Sequence, residues 1–265
     1  MKPLIRQLRL ALIAGSFAVL AACASGPSDN ISLIPAEIAE QTSKEGLFTQ
    51  AIKWEHKKPG CTGDCPTLKL DSVIFPGIER LTQLVDHALA VMTGVGNSGL
   101  PPYDTVAEYE QYFWKTAAPR DSVLLAAKTR YRNKNLTVVE LNTWQYFTGS
   151  AHGISATQFL NWDNAAGKVL GLANVLQPGK NDAYVAALRS VHSQWLAANP
   201  DAQRDPQAYA RVWPFQVSNN FGFSDQGLIV KYDSYQLAPY SSGQPELLIP
   251  YSALQDVLRP EYLPT

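Results

Sequence analysis

Ser150 and His152, held between Gly149 and Gly153, are the residues whose types and spacing come nearest to nucleophilic chemistry in this 265-residue chain. A serine hydroxyl attacks only with a base in hydrogen-bond reach and a third group orienting that base. Asp163 is the next carboxylate downstream that could orient His152. The spacing argues against this reading. A nucleophile elbow runs Gly-x-Ser-x-Gly between a strand and a helix, whereas here the serine follows a glycine directly and both flanks are β-rich. Residues two apart share a face in a strand, and that parity fails in a tight turn. The architectural reading gives both glycines positive φ at a hairpin corner and has His152 bond the backbone.

The elements that must position this corner follow from periodicity. Leu136 to Phe147 and Ile154 to Trp162 are strand-like runs on either side of it, and Ser122 to Arg132 adds a third strand through the Asn133-Lys134-Asn135 turn. Upstream, residues 44–58 alternate like a strand with one buried face, and Thr67 to Phe75 alternates more cleanly. Apolar residues from Ile78 to Met92 keep helical spacing, with His87 off the stripe. A second helix, capped by Asp104 or Thr105, runs to about Thr116, and a third carries Val185, Leu188, Val191, His192 and Trp195. From Val212 the chain is β-like again: Phe221 to Val230 as strand, turn and strand, then Tyr232 to Tyr240 and Glu246 to Tyr251, with a short helix near Leu254 to Leu258. Helices interspersed with hairpins, without βαβ alternation, predict an α+β fold: antiparallel sheets with helices packed on them, in two small subdomains.

The first residues read as a targeting segment. Lys2, Arg6 and Arg9 precede the apolar run Leu10 to Leu20, which is shorter than the roughly 20 residues a spanning helix needs. Leu20-Ala21-Ala22-Cys23 resembles a lipobox, so residues 1–22 are expected to be a lipoprotein signal peptide and Cys23 the lipidated residue. Ala24 follows where an inner-membrane retention signal would place Asp, which favours the periplasmic face of the outer membrane. Two or three acyl chains on one cysteine anchor firmly, and residues 23–43 would tether the domain to the lipid. Removing residues 1–22 leaves 19 basic against 23 acidic residues. That balance, with no basic stripe, argues against nucleic acid as a partner.

Cys61 and Cys65 flank a Gly-Asp turn, and in an exported chain such a pair most simply forms a disulfide. Zinc would need two further ligands, with His56 alone nearby, and a thioredoxin-like pair would have two intervening residues instead of three. No cofactor is implied.

Gly149-Ser150-Ala151-His152-Gly153, then Asn161-Trp162-Asp163 and Gly167-Lys168-Val169-Leu170, resembles the pattern of RsiV-like extracellular domains. Phe221-x-Phe223, Tyr235 to Gly243 and Ile249-Pro250-Tyr251 continue the likeness over roughly Leu136 to Leu258. The resemblance implies a division into a smaller N-terminal α+β subdomain, 44–135, and an RsiV-like C-terminal domain, 136–265. It is largely a domain of unknown function, found in lysozyme-sensing anti-sigma factors and ahead of some peptidoglycan deacetylases. A sigma-binding segment and a spanning helix are not expected here, and His56, His87, His152 and His192 show no metal-ligand spacing.

The resemblance therefore implies binding, not catalysis or signalling. Six Trp and twelve Tyr supply aromatic surface suited to sugars or protein hot spots. Trp144, Trp162, Tyr235 and Tyr240, with Ser150 and His152, are the candidate contacts, and Trp213 also lies beside a loop. The expected protein is a lipid-anchored periplasmic envelope protein binding lysozyme-like muramidases or peptidoglycan. Two alternatives stand beside it: a cell-wall-directed hydrolase or esterase using His152, and a purely structural envelope lipoprotein.

Overall fold

The structure, a computed structural model, describes residues 48–94 and 100–264. The expected signal peptide, Cys23 and the tether lie outside the described residues, which belong to one compact unit, Thr42–Thr265. Two sheets form, one of six strands and one of three, each with its strands side by side in chain order.

β1 (Gln50–Lys57) and β2 (Thr67–Ile74) pair antiparallel around the loop that the Cys61–Cys65 disulfide clips, with Cα atoms 5.8 Å apart. The buried face expected for β1 is limited to half-buried Trp54, the strand being exposed elsewhere. The chain then crosses through α1 (Glu79–Val91) and α2 (Val106–Thr116) to β3 (Ser122–Arg132). Because that crossover returns β3 alongside β2, the two run parallel, one exception to the antiparallel expectation. β3, β4 (Leu136–Tyr146) and β5 (Ile154–Asp163) form the expected meander, ending on the two-residue β6 (Lys168–Val169). The strands flanking the expected 135/136 division pair with each other.

Period-2 alternation in β4 explains the layering. Val139 and Leu141 enter a core with Leu81, Val85, Tyr109 and Phe113 of α1 and α2, while Leu136 and Val138 enter a second core on the opposite face. The second core is closed by α3 (Leu172–Val175), α4 (Asn181–Ala198) and the sheet of β7 (Phe221–Phe223), β8 (Gly227–Lys231) and β9 (Glu246–Pro250). β4 is buried on both faces from Leu136 to Leu141, although Thr137 and Glu140 interrupt its apolar residues there.

Three sequence expectations shift. α5 (Pro200–Arg204) and α6 (Pro206–Val212) occupy a stretch where periodicity marks no element; Asn199 and Asp205 cap them through side-chain oxygens, each followed by proline at the first helical position. Tyr232 to Tyr240 is a folded turn region and not a strand, tied by Asp233 and Gln236. The terminal helix near Leu254 is a 3-10 turn at Tyr251–Ala253 followed by irregular turns.

Where the two sheets meet, Glu140 is 1 % exposed and is contacted by Lys231, Arg130 and Lys128. Burial pushes its carboxyl up, but hydrogen bonds from Lys231 and Asn142 and the charges of Lys231 and Lys128 outweigh that and hold it at about 2. Lys231 and Arg130 both reach Glu246 on β9, at 3.1 and 2.8 Å. His192, on the apolar stripe of α4, is buried beside Trp195 and Phe215, and burial followed by the Arg189 charge lowers its pKa.

Candidate functional site

The corner between β4 and β5 is built from both sides. Thr148 N–H donates to Asp121 Oδ1 at 2.7 Å, and Asp121 Oδ2 accepts from Ala118 N–H at 2.9 Å, which fixes the entry to the turn against the start of β3. Gly149 has φ 93°, as the corner reading requires. Gly153 does not share that reason. It is buried, its φ is not positive, and a Cβ there would fall inside the indole of Trp144. Close approach, not backbone handedness, selects this glycine.

His152 stands exposed at the tip. Its Nδ1 lies 2.9 Å from the Gly153 carbonyl, which can only accept, so Nδ1 carries the proton and donates. In the neutral ring Nε2 is then the acceptor, and the Tyr235 hydroxyl donates to it at 2.8 Å. The one basic nitrogen is thereby occupied. The Ser150 hydroxyl makes no hydrogen bond among the described residues, its backbone N–H donating to Phe147 O at 2.9 Å. Asp163 is spent at the far end of β5, where Oδ1 accepts from Ala165 and Ala166 N–H at 3.0 and 2.8 Å. Ser150, His152 and Asp163 are not brought together, and no oriented nucleophile forms.

The geometry gathers aromatic rings instead. Tyr240 stacks on His152 with centroids 4.1 Å apart and planes 22° from parallel, and Tyr235 lies 5.8 Å from both. Trp213 extends the row, 6.2 Å from Tyr235 at 25°. Tyr235 is 48 % exposed and holds φ 71°, a left-handed conformation that a tyrosine rarely adopts. Its neighbours impose it: Asp233 Oδ1 accepts from Thr157 N–H of β5 at 2.7 Å, and Asp233 N–H donates to Gln236 Oε1 at 2.8 Å. Burial raises the Asp233 carboxyl, an effect opposed by that Thr157 bond and by Lys231. Gln216 Nε2 donates to Gln236 O at 3.0 Å, and Tyr232 OH donates to Gln216 O at 2.8 Å, so the Trp213 segment is tied to the same turn.

Of the residues singled out by sequence, Ser150, His152, Tyr235 and Tyr240 converge here, and Trp144 lies half-buried beneath Gly153. Trp162 does not. It is 2 % exposed in the core under α1 and α2, because its position in β5 points away from the sheet of β7–β9. Asp233 and Gln216 were not singled out; the bonds that tie this turn to β5 and to the Trp213 segment join stretches distant in sequence, and no local signal marks them. Asn161 of the Asn-x-Asp motif is structural, its side chain donating to Phe221 O at 2.7 Å and accepting from Phe223 N–H at 3.2 Å. Among the described residues no group of three or more His, Cys, Asp or Glu could hold a metal ion, and no helix is long and apolar enough to cross a membrane.

Comparison with known proteins gives a fold and a family. No curated protein matches the chain. The sequence profile of a protein family of unknown function, DUF3298, matches residues 173–252. A crystal structure of a DUF3298 family protein from Pseudomonas aeruginosa PAO1 is similar at 35% identity and TM-score 0.74, covering 82% of this chain and 96% of that one. A DUF3298 member from Bacteroides fragilis NCTC 9343 shares the fold at 22% identity and TM-score 0.61, covering 80% of this chain and 93% of its own. At that identity and coverage to the Pseudomonas protein, the chain belongs to the DUF3298 family.

Proposed function

We propose that this protein is a lipid-anchored binding protein of the cell envelope, held by Cys23 at the periplasmic face of the outer membrane, and that the His152 corner is where it takes its ligand. The observation that carries the reading is Tyr235: a strained, half-exposed ring, held out by its own turn and bonded to His152. Strain kept in place by surrounding hydrogen bonds is characteristic of sites whose side chains must stay where a ligand meets them. The likeness to RsiV-like domains supports an envelope ligand, with peptidoglycan and lysozyme-like muramidases as the two candidates. A hydrolase is disfavoured by the occupied Nε2 of His152 and the unpartnered placement of Ser150.

Two measurements test this. Cys23→Ser should move the protein from the membrane to the soluble periplasmic fraction. The purified lipoprotein should be retained on insoluble peptidoglycan or on immobilised lysozyme, and His152→Ala should reduce retention with the thermal midpoint nearly unchanged. Retention on neither matrix sinks the binding reading. Turnover of a peptidoglycan or ester substrate that His152→Ala abolishes would instead establish the hydrolase.

A further inference from the structure

We infer that β1 is a docking edge for a second copy of this chain, the two strands pairing antiparallel about a two-fold axis at Trp54 so that their six-stranded sheets join. An edge strand offers unpaired N–H and C=O groups as a template for another strand, and proteins blunt such edges by shortness, proline, a bulge or charge. The other edges of the two sheets are blunted: β6 has two residues, β7 three, and β9 ends on Pro250. β1 has eight residues and no proline, and its register with β2 is unbroken. Among the described residues it pairs on that side alone, and every residue of it but half-buried Trp54 is exposed.

The one guard left is charge, and on β1 it is self-complementary. A two-fold axis joining antiparallel edges stands perpendicular to the sheet and keeps each side chain on its own face, so it passes through a residue and never between two. At Ile52 it would leave Lys53 and Glu55 without opposite charges. At Lys53 it would set that lysine against its own copy, and at Glu55 it would oppose two glutamates and set Lys53 against the partner's Lys57. At Trp54, Lys53 faces the partner's Glu55 and Glu55 faces the partner's Lys53. Opposite charges directly across a strand pair stabilise it and like charges destabilise it, so charge selects the axis at Trp54. The two new pairs extend ion pairs already formed with β2, Lys53 to Asp71 at 2.9 Å and Lys69 to Glu55 at 3.0 Å, each directly across the strands. Asp71, Lys53, the partner's Glu55 and the partner's Lys69 then make a row of alternating sign. On the other face the two Trp54 indoles lie side by side, each stacked on its own His56 at 4.2 Å, and Ile52, 37 % exposed, is covered by the partner's His56.

A single strand pair is a small contact, so the association is concentration-dependent. The test follows the purified protein in detergent by sedimentation over a range of concentration and salt. Reversible dimers are expected, weakened by high salt. Lys53→Glu and Glu55→Lys should each weaken dimerisation about thirtyfold, because each turns both pairs across the axis into like-charge pairs. An equimolar mixture of the two variants should restore it, since positions 53 and 55 are then again opposite in sign across the axis. A substitution that only disturbed the fold would not be rescued by mixing. Trp54→Cys, which keeps both charges, should give a disulfide-linked dimer on mild oxidation, and Ala51→Cys, placed opposite the partner's Lys57, should not. A monomer at every concentration, dimers indifferent to both charge variants, or a mixture that stays monomeric overturns the proposal. Cross-linking of Ala51→Cys as readily as Trp54→Cys overturns it as well.

Discussion

A single methyl group separates the two reasons a glycine can be needed, and the corner contains one glycine of each kind. At Gly149 the backbone has φ 93° and the space a Cβ would occupy is open, so alanine should cost about 1 kcal/mol of conformational strain. At Gly153 the backbone would accept alanine, but its Cβ would collide with the Trp144 indole, which would have to shift. Overpacking of that kind costs about 2 kcal/mol. We therefore expect Gly153→Ala to lose more stability than Gly149→Ala in chemical denaturation, with a red shift of tryptophan emission as Trp144 is displaced toward solvent. The reverse order would mean that backbone handedness governs both positions. The sequence shows the two glycines identically. Their difference lies in Trp144, a residue on the preceding strand, and no local pattern states how near it comes. For the same reason Trp144 and Trp162 look alike as candidate contacts, although strand parity sends Trp162 into the helix-covered core.

Between elements, the joint that matters is the one from β4 to β8 and β9. Glu140 lies on the face of β4 turned to the second sheet, and Lys231 at the end of β8 meets it there, its side chain 9 % exposed. Removing the carboxylate leaves a buried ammonium with only Glu246 as an ionic partner. Losing one member of a buried pair costs on the order of 3 kcal/mol, and Glu140→Gln should show a loss of about that size at neutral pH. The pH dependence has a fixed sign. Because the folded carboxyl titrates at about 2 against 4.5 for the ordinary group, its contribution is complete above 4.5 and is lost as pH falls through about 2. Denaturation of wild type and Glu140→Gln from neutrality down to that value should therefore converge. A gap that persists unchanged in acid would show the glutamate to act through shape alone. At this scale the sequence was informative where periodicity was strong: the meander, α1, α2 and α4 follow from spacing. It was weak where polar side chains organise the backbone, as in α5 and α6, started by Asn199 and Asp205, and in the Tyr232 to Tyr240 turn held by Asp233.

Across the whole described molecule, the six-stranded sheet is the shared wall of two cores. Leu125 of β3 is fully buried on the side of α1 and α2, and Leu228 of β8 is fully buried on the other side. Neither core can open without baring one face of β4, whose residues alternate between them. The α+β class was legible because helices and hairpins alternate irregularly along the chain. The sharing was not, since it depends on which strands become neighbours, and the parallel β2–β3 contact is made by residues 55 positions apart, Thr67 with Ser122. Shared burial has a thermodynamic consequence. Leu125→Ala and Leu228→Ala should each lower stability by about 3 kcal/mol. Both should do so by shifting one cooperative transition, seen at the same midpoint by near-ultraviolet and far-ultraviolet circular dichroism. If the cores were independent, Leu125→Ala would split the melt, leaving a second phase at the wild-type midpoint from the Leu228 side. Coincident probes in both variants would mean that the His152 corner, which closes β4 onto β5, keeps its shape until the whole sheet is lost.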